Sequence, residues 1–528
     1  MYFAIGLYLE TGKPVATSCT SAQATRNYIP GLTEAFYKHV PILAITGSRH
    51  QKYWGQECMQ VPIQTSLPVD AVKQTFALPY VDSKLDELHC VRLVNEAILE
   101  LTHRTPGPVQ LNVPVDREAA VFNVPKLPLV RSIKRYMVWD DWHDVVLANK
   151  KLMIVVGEHR PFSDKQITAI DEFVESHNAF VYVNHVSNYH GRYALSANLV
   201  LSRMGQDVFQ KNYKPDILLT IGGQPGDYPL VGQLASGDEV LFEHWRVAED
   251  GAIVDTYDKL TKVFECPLEL FFSRLVENSQ VQHTYYESWK KVQDSMVILE
   301  DLPFSNAYMA QQLHSSIPKD SYLNLAILNS LRVWSYFPLD ASIICNSNIA
   351  AFGIDGCMSV LIGQSVATDK LCFLVIGDLA FFYDMNSLGI RHIKNNVRIL
   401  LVNNNCGAEF KLYSHLAHQF GKEADSYIAA ADHNGSAKGW AEAVGFKYIS
   451  ADSKEEFLQH KDEFIGKSDQ SIVFEVFTVP ENESDAVKAI VENDRVLSGI
   501  GTLKNKVRSV IGDEGVKKLK GVLKKNKS

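Results

Sequence analysis

The residues best placed to do chemistry lie between Val375 and Phe410. The stretch opens Val375-Ile376-Gly377-Asp378-Leu379-Ala380 and closes Leu400-Leu401-Val402-Asn403-Asn404-Asn405-Cys406-Gly407. Asp378 offers a hard anionic oxygen; an asparagine amide and a backbone carbonyl offer neutral ones. That donor set suits octahedral Mg²⁺ that also takes oxygens from phosphate, so the stretch reads as a place for a divalent metal holding a diphosphate. Asp378 and Asn404 stand 26 positions apart, the length of one helix and one strand. A strand–helix–strand unit with ordinary turn residues is the plainer reading. Three asparagines, a cysteine and a glycine closing an apolar strand are uncommon enough to favour the metal. The pattern leaves open which of the three asparagines binds.

Two buried parallel strands must position these groups. Leu371 to Ile376 is one apolar run and Val397 to Val402 another, both continuous rather than alternating. Gly377-Asp378 turns the chain at the carboxyl end of the first, the edge where open α/β sheets bind ligands. A helix over Asn386 to Lys394 joins the two and brings the asparagines to the same edge.

Composition narrows the setting. At 528 residues the chain should hold about three domains. Apolar content of 46% and charged content of 21% are those of a globular protein. No apolar run reaches the ~18 residues of a membrane span. The start, Met1-Tyr2-Phe3-Ala4-Ile5-Gly6-Leu7, lacks the basic flank and cleavage site of a signal peptide. Eight cysteines without a Cys-x-x-Cys pair fit reduced thiols in a cytoplasmic protein better than a disulfide framework or zinc site. A net charge of −9 gives no reason to expect nucleic acid. Residues Leu503 to Ser528 carry nine basic and two acidic residues, with Val516, Leu519, Val522 and Leu523 at helical spacing. A solvated tail is expected there, with a basic amphipathic helix touching an anionic surface as the alternative.

Strand and helix patterns alternate along the rest of the chain, which implies parallel sheets. Val15–Ala16, Pro41–Thr46 and Val109–Val113 read as strands, with helical patterns over Ala22 to His39 and Leu85 to His103. Leu152 to Gly157 and Ile217 to Gly223 are strand-then-glycine signals. There is no Gly-x-Gly-x-x-Gly fingerprint, which argues against a dinucleotide.

Gly-Asp followed about 25 residues later by Asn-Asn resembles the diphosphate-anchoring motif of thiamine diphosphate (ThDP) enzymes. Thr20-Ser21, Ile45-Thr46-Gly47-Ser48-Arg49, Leu111-Asn112-Val113-Pro114, Gly222-Gly223-Gln224-Pro225, His244-Trp245-Arg246-Val247 and Gly353-Ile354-Asp355-Gly356 narrow the likeness. They resemble the family of 2-succinyl-5-enolpyruvyl-6-hydroxy-3-cyclohexene-1-carboxylate (SEPHCHC) synthase, MenD, of menaquinone biosynthesis. The resemblance implies an α/β fold of three doubly wound parallel-sheet domains: pyrimidine-binding (1–125), central (150–285) and diphosphate- and Mg-binding (300–485). A linker (126–149) and a basic C-terminal tail (486–528) complete it. It also implies ThDP with Mg²⁺ or Mn²⁺ as cofactors, and a homodimer or dimer of dimers with the cofactor between chains. Carried over, the metal ligands are Asp378, the Asn404 side chain and the Cys406 carbonyl. Gly377, Leu379, Ile354, Phe410, Thr20 and Ser21 join them around the cofactor, with Ile354 beneath it. Arg49, Gln60, Asn329, Ser330, Arg332 and Glu409 fall at the substrate.

The same resemblance marks departures. The family's activating glutamate falls just before the helix matching Tyr2 to Leu7, hence upstream of Met1, and roughly fifty residues would precede this start. No catalytic residue is therefore assigned within the chain. Two family arginines that grip substrate carboxylates are replaced, one by Trp334 with Arg332 two positions away, the other by Ile349; a family isoleucine becomes Glu409. The expected function is a ThDP- and Mg-dependent decarboxylating carboligase acting on a 2-oxo acid and a small acceptor, with an altered substrate pocket. An acetolactate-synthase-like enzyme or simple 2-oxo acid decarboxylase, and an inactive regulatory homologue, are the alternatives.

Overall fold

The structure, a computed structural model, describes residues 1–115, 125–127, 129–235, 242–277 and 281–493. The basic stretch expected to be solvated or amphipathic, 503–528, lies outside them. The chain divides into two compact units, Met1–Trp142 with Glu243–Cys266, and His143–Phe242 with Pro267–Ser528. The expected central segment, 150–285, is thus shared between them. Among the described residues, every strand pairing within either unit is parallel.

In the first unit, strands numbered along the chain are β1 (Val15–Cys19), β2 (Ile42–Ser48), β3 (Thr75–Ala77), β4 (Val109–Pro114), β5 (Lys134–Met137), β10 (Glu243–Val247) and β11 (Leu260–Glu265). The first four form a sheet in the order β1-β2-β4-β3. β11 pairs with both β5 and β10, so the stretch 126–149, expected as a linker, contributes a strand. The three-residue β3 carries too short a pattern to read from sequence. The helix expected over Ala22 to His39 is broken into Gln23–Arg26 and Ile29–Tyr37. Pro30, in the first turn of the second piece, has no N–H to continue the first.

In the second unit, β6 (Leu152–Val156), β7 (Ala179–Tyr182), β8 (Ala194–Leu195) and β9 (Ile217–Ile221) pair in the order β9-β6-β7-β8. The six remaining strands are β12 (Tyr322–Leu325), β13 (Ile344–Asn346), β14 (Cys372–Gly377), β15 (Val397–Asn403), β16 (Lys447–Ala451) and β17 (Ile472–Phe477). They form a sheet in the order β13-β12-β14-β15-β17-β16. Alternation along its central strands feeds two cores. Phe373, Val375, Leu400, Val402, Phe474 and Val476 enter one; Leu374, Ile376, Ile399, Leu401 and Val473 enter the other. A sheet buried on both faces explains why the runs read as continuous rather than alternating. Each such side chain contributes roughly 1.5–3 kcal/mol of apolar burial.

The helix after β14 is Asp378–Asp384, running on into a 3₁₀ turn over Met385–Gly389. This corrects the helix expected over Asn386 to Lys394. Extended Gly377 is the N-cap, so helix begins at once with Asp378, where a carboxylate suits the helix dipole. The helix Pro480–Glu492 runs past residue 486 and buries Ala486, Val487 and Ile490. The start of the expected tail is therefore packed core.

Candidate functional site: the carboxyl edge of the six-stranded sheet

Chain order in this sheet reverses between β12 and β14. β13 lies on one side of β12 and β14 on the other, which makes the carboxyl ends of β12 and β14 a topological switch point, the usual ligand crevice of such sheets. The segments after β12, β13, β14 and β15 bring Asn329–Arg332, Ile354, Asp378 and Asn404–Phe410 to that edge.

Asp378 is held before any ligand arrives. It is 2% exposed. Its Oδ1 accepts from the N–H of Leu379 at 2.7 Å and its Oδ2 from the N–H of Asn404 at 3.1 Å. Parallel register sets Gly377 opposite Val402, so the residues after both strands meet. His433 Nε2 lies 3.2 Å from Asp378 Oδ2. The His433 Nδ1 accepts from the Gly435 N–H at 3.0 Å, so in a neutral ring the proton sits on Nε2, facing the carboxylate. Burial pushes the Asp378 carboxyl above the usual range, against the pull of the Leu379 N–H and of His433.

The three asparagines are not equivalent. Asn403 is fully buried; its Nδ2 donates to the Gly435 carbonyl at 2.9 Å and to Glu475 Oε1 at 2.8 Å, and its Oδ1 accepts from the Asn405 N–H at 3.2 Å. Asn405 sits in left-handed backbone at φ 65°. Asn404 alone has a buried side-chain oxygen, Oδ1, without a partner. Cys406 is buried, and burial first, then the Asp378 charge, pushes its thiol up to about 12. It therefore offers no thiolate, and its carbonyl, which accepts from the Ala408 N–H at 3.0 Å, keeps a second lone pair.

Two glycines shape the space around these donors. A Cβ on Gly407 would stand 2.2 Å from the Ala429 carbonyl oxygen, whereas one on Gly377 would meet nothing within 4 Å. Gly377 has ordinary extended backbone, so no contact within the chain demands a glycine there; the room beside it stays open. Leu379 and Phe410 are half-buried, and Ile354 is 37% exposed. Ile354 therefore projects from its turn rather than filling the core.

Of the substrate candidates, Arg332 and Glu409 meet. Arg332 Nη1 donates to Glu409 Oε2 at 2.8 Å and Nη2 to Oε1 at 2.7 Å. Ser330 Oγ accepts from Asn306 Nδ2 at 3.3 Å, and Asn329 Oδ1 is buried without a partner. Trp334 and Ile349 are core residues. In the first unit, Thr20 is exposed and Ser21 half-buried at the end of β1. The helix that follows is a single turn, Gln23–Arg26, and the Ala22 N–H before it is taken by Gln64 Oε1 at 2.9 Å. That end therefore has little to offer an anion. Half-buried Arg49 directly follows β2, and Gln60 is exposed with φ 61°.

Known proteins share this chain's features. The family profile described as "Thiamine pyrophosphate enzyme, N-terminal TPP binding domain" matches residues 1–67. The 2-succinyl-5-enolpyruvyl-6-hydroxy-3-cyclohexene-1-carboxylate synthase of Phocaeicola vulgatus is 34% identical over 508 residues, covering 92% of this chain and 88% of that one. The synthase of the same name from Bacteroides thetaiotaomicron is 32% identical over 512 residues, with the same coverage. The chain belongs to the SEPHCHC synthase family. That from Flavobacterium psychrophilum is 28% identical over 507 residues.

For a member of the SEPHCHC synthase family the donor set fits a metal-held diphosphate. One carboxylate, one orphaned amide oxygen and one carbonyl stand on the segments that follow β14 and β15, with open space beside Gly377. Among the described residues no three His, Cys, Asp or Glu side chains cluster as a metal site, so amide and carbonyl oxygens are what the edge has to add to Asp378. Three supporting residues escaped the sequence reading: His433 and Glu475 here, and Gln64 in the first unit. Glu475 is the only charged residue within β17, a signal available in sequence. Its oxygens accept from Asn403 Nδ2, Ser436 Oγ, the Ala437 N–H and Tyr448 Oη at 2.7–3.1 Å. Gln64 is 1% exposed and bonds the Gly47 carbonyl, Asn112 Oδ1 and the Ala22 N–H. Nothing local in the sequence separates it from Gln60.

Proposed function

We propose that the chain is a ThDP- and divalent-metal-dependent 2-oxo acid decarboxylating carboligase of the SEPHCHC synthase type, acting in menaquinone biosynthesis or on related substrates. The observation that carries the metal is the buried, partnerless Asn404 Oδ1 beside a carboxylate already fixed by two backbone N–H groups. Asp378, Asn404 Oδ1 and the Cys406 carbonyl would hold Mg²⁺ or Mn²⁺, and the metal the diphosphate. Gly377 leaves room for phosphate, and Ile354 supplies an apolar face for the rings. Bound there, thiamine diphosphate supplies the nucleophilic carbon and electron sink for decarboxylating a 2-oxo acid and joining it to an acceptor. Fixing Asp378 before the ligand binds reduces the ordering cost of binding.

We take the working form to be a homodimer or dimer of dimers in the cytoplasm, as the resemblance implies. The helix Tyr2–Thr11 has no charged residue before Glu10 yet buries only Ala4 and Ile5, and it leaves Phe3 81% and Leu9 69% exposed. An exposed apolar surface of that kind marks an interface.

The decisive experiment replaces Asp378 by Ala and titrates ThDP with and without Mg²⁺ by calorimetry. Losing the only charged ligand should weaken metal-dependent binding by roughly a hundredfold or more. Binding that is unchanged in this variant would sink the site.

A further inference from the structure

The six-stranded sheet carries a second cleft at its amino edge, at the other end of the strands from Asp378. β15, β16 and β17 begin at Val397, Lys447 and Ile472. Residues from the segments just before them, 388–395, 444–446 and 469–471, line an open cleft of about 480 Å³, a size that suits a small molecule. Hydrogen bonds tie its walls together. Ser471 Oγ donates to the Lys394 carbonyl at 2.6 Å and Gln470 Nε2 to the Gly445 carbonyl at 3.1 Å. Trp440 Nε1, on the helix behind the second wall, donates to the Met385 carbonyl behind the first at 2.7 Å. The cleft is therefore formed before any ligand arrives. Leu388, Ile390, Ile393, Val444 and Phe446 give it apolar surface, and Ile390 is 43% exposed. Of its two cations, Lys394 is spent: its Nζ lies 2.8 Å from Asp369 Oδ1 and donates to the Thr368 carbonyl at 3.1 Å. Arg391 and Asp469 also line the cleft and are exposed. Among the described residues neither makes a hydrogen bond or ion pair, with the other or with a third group.

We propose that this cleft is a second ligand site, for an α-amino acid with an apolar side chain. Arg391 takes the carboxylate, Asp469 the ammonium, and the apolar wall the side chain. A guanidinium and a carboxylate that share one concavity without reaching each other match a ligand that carries both charges. A plain anion would gain Arg391 but face the charge of Asp469. A plain cation would meet the reverse, and a neutral apolar ligand would use neither group. The site lies at the opposite edge from Asp378, so its ligand is held alongside a cofactor there and not in its place. Nothing in this inference depends on which reaction the carboxyl edge supports.

The test titrates the full chain near neutral pH with L-phenylalanine, 3-phenylpropanoate and 2-phenylethylamine, which share a ring and differ in charge. Calorimetry should show L-phenylalanine binding roughly fivefold or more tightly than either analogue. Arg391→Gln should weaken L-phenylalanine to the level of the amine without weakening the amine. Asp469→Asn should weaken it to the level of the acid without weakening the acid. Both positions are exposed, so both variants should fold; the wild-type ranking decides even if one does not. No binding of L-phenylalanine overturns the inference, as does an analogue that binds as tightly, or a folded variant that keeps the wild-type affinity for L-phenylalanine. Saturating ThDP and Mg²⁺ should leave the affinity for L-phenylalanine within about twofold, and competition between them would overturn the placement at the amino edge. A chain that takes up no ThDP counts against the proposed function alone, because the ranking and the two variants are read without it.

Discussion

Glu475 offers the sharpest check on how the proposed metal edge is held together. It is fully buried in β17 and gathers four groups: the Asn403 amide, the Ser436 and Tyr448 hydroxyls, and the Ala437 N–H. In Glu475→Gln the remaining oxygen can still accept from Asn403 and Ala437. The new NH₂ faces two hydroxyls that can rotate to accept from it. What is lost is the charge assistance, offset in part by removing a buried charge, for a net cost of about 1–2 kcal/mol. Glu475→Ala removes every acceptor. The Ala437 N–H has no other partner in view and the Asn403 amide keeps only one, so two unsatisfied donors at about 1–3 kcal/mol each, with a cavity besides, bring the cost to about 4 kcal/mol or more. The damage should reach the cofactor, because Asn403 directly precedes Asn404. Thermal unfolding with and without ThDP and Mg²⁺, alongside titration of the metal, reads both effects. Glu475→Gln should keep metal affinity within a few-fold while Glu475→Ala loses it. Equal damage in the two variants, or an undisturbed Glu475→Ala, would refute the reasoning.

The asparagines should separate in the same assays: Asn404→Ala should cut Mg²⁺ affinity with little change in unfolding temperature, because Oδ1 has no partner to lose, whereas Asn403→Ala should cost roughly 2–3 kcal/mol of stability. Equal losses from the two would contradict the assignment. Burial pushes the Glu483 carboxyl up to about 7, despite hydrogen bonds from Thr478 and Asn306. Its folded value lies above its unfolded one, so its contribution to stability is complete below about pH 4.5 and lost as pH rises through about 7. Glu483→Gln should therefore gain on wild type between pH 5 and 8, by an amount of order 2 kcal/mol, as read by denaturant unfolding across that range; a constant gap would contradict it. Phe3→Asp should shift a wild-type dimer toward monomer in sedimentation velocity, and an unshifted dimer would place the interface elsewhere.

The two strands behind the carboxyl edge were legible in sequence because their signals are local. Two apolar runs of strand length, each ending in Gly-Asp or in asparagines, leave few ways to fold, and β14 and β15 lie where the runs do. The connecting helix was misplaced because a glycine after a strand reads as a turn of some length, while Gly377 is itself the cap. Selection among Asn403, Asn404 and Asn405 depends on Glu475 and Gly435, tens of residues away in sequence, so periodicity could not decide it. His433 was invisible for the same reason: the chain from 405 to 437 carries mostly short 3₁₀ turns, which have no strong pattern. Arg332 and Glu409 were read separately as an intact cation and an intruding acid. Only their distance shows that each answers the other. β5 escaped notice because its four residues, Lys-Arg-Tyr-Met, set two charges before two bulky side chains inside a proline-marked segment and so carry no alternation.

The two N–H groups that grip Asp378 bear on time as well as on affinity. A carboxylate immobilised by Leu379 and Asn404 is ordered when the chain folds, not when an ion arrives. Its partners belong to the first turn after β14 and the first residue after β15, so the cage can loosen only if those strand ends part. Metal release should then leave the backbone there unchanged. In hydrogen exchange, the amides of Leu379 and Asn404 should remain protected after chelation, opening at the pace of the central strands rather than at that of the surface loops.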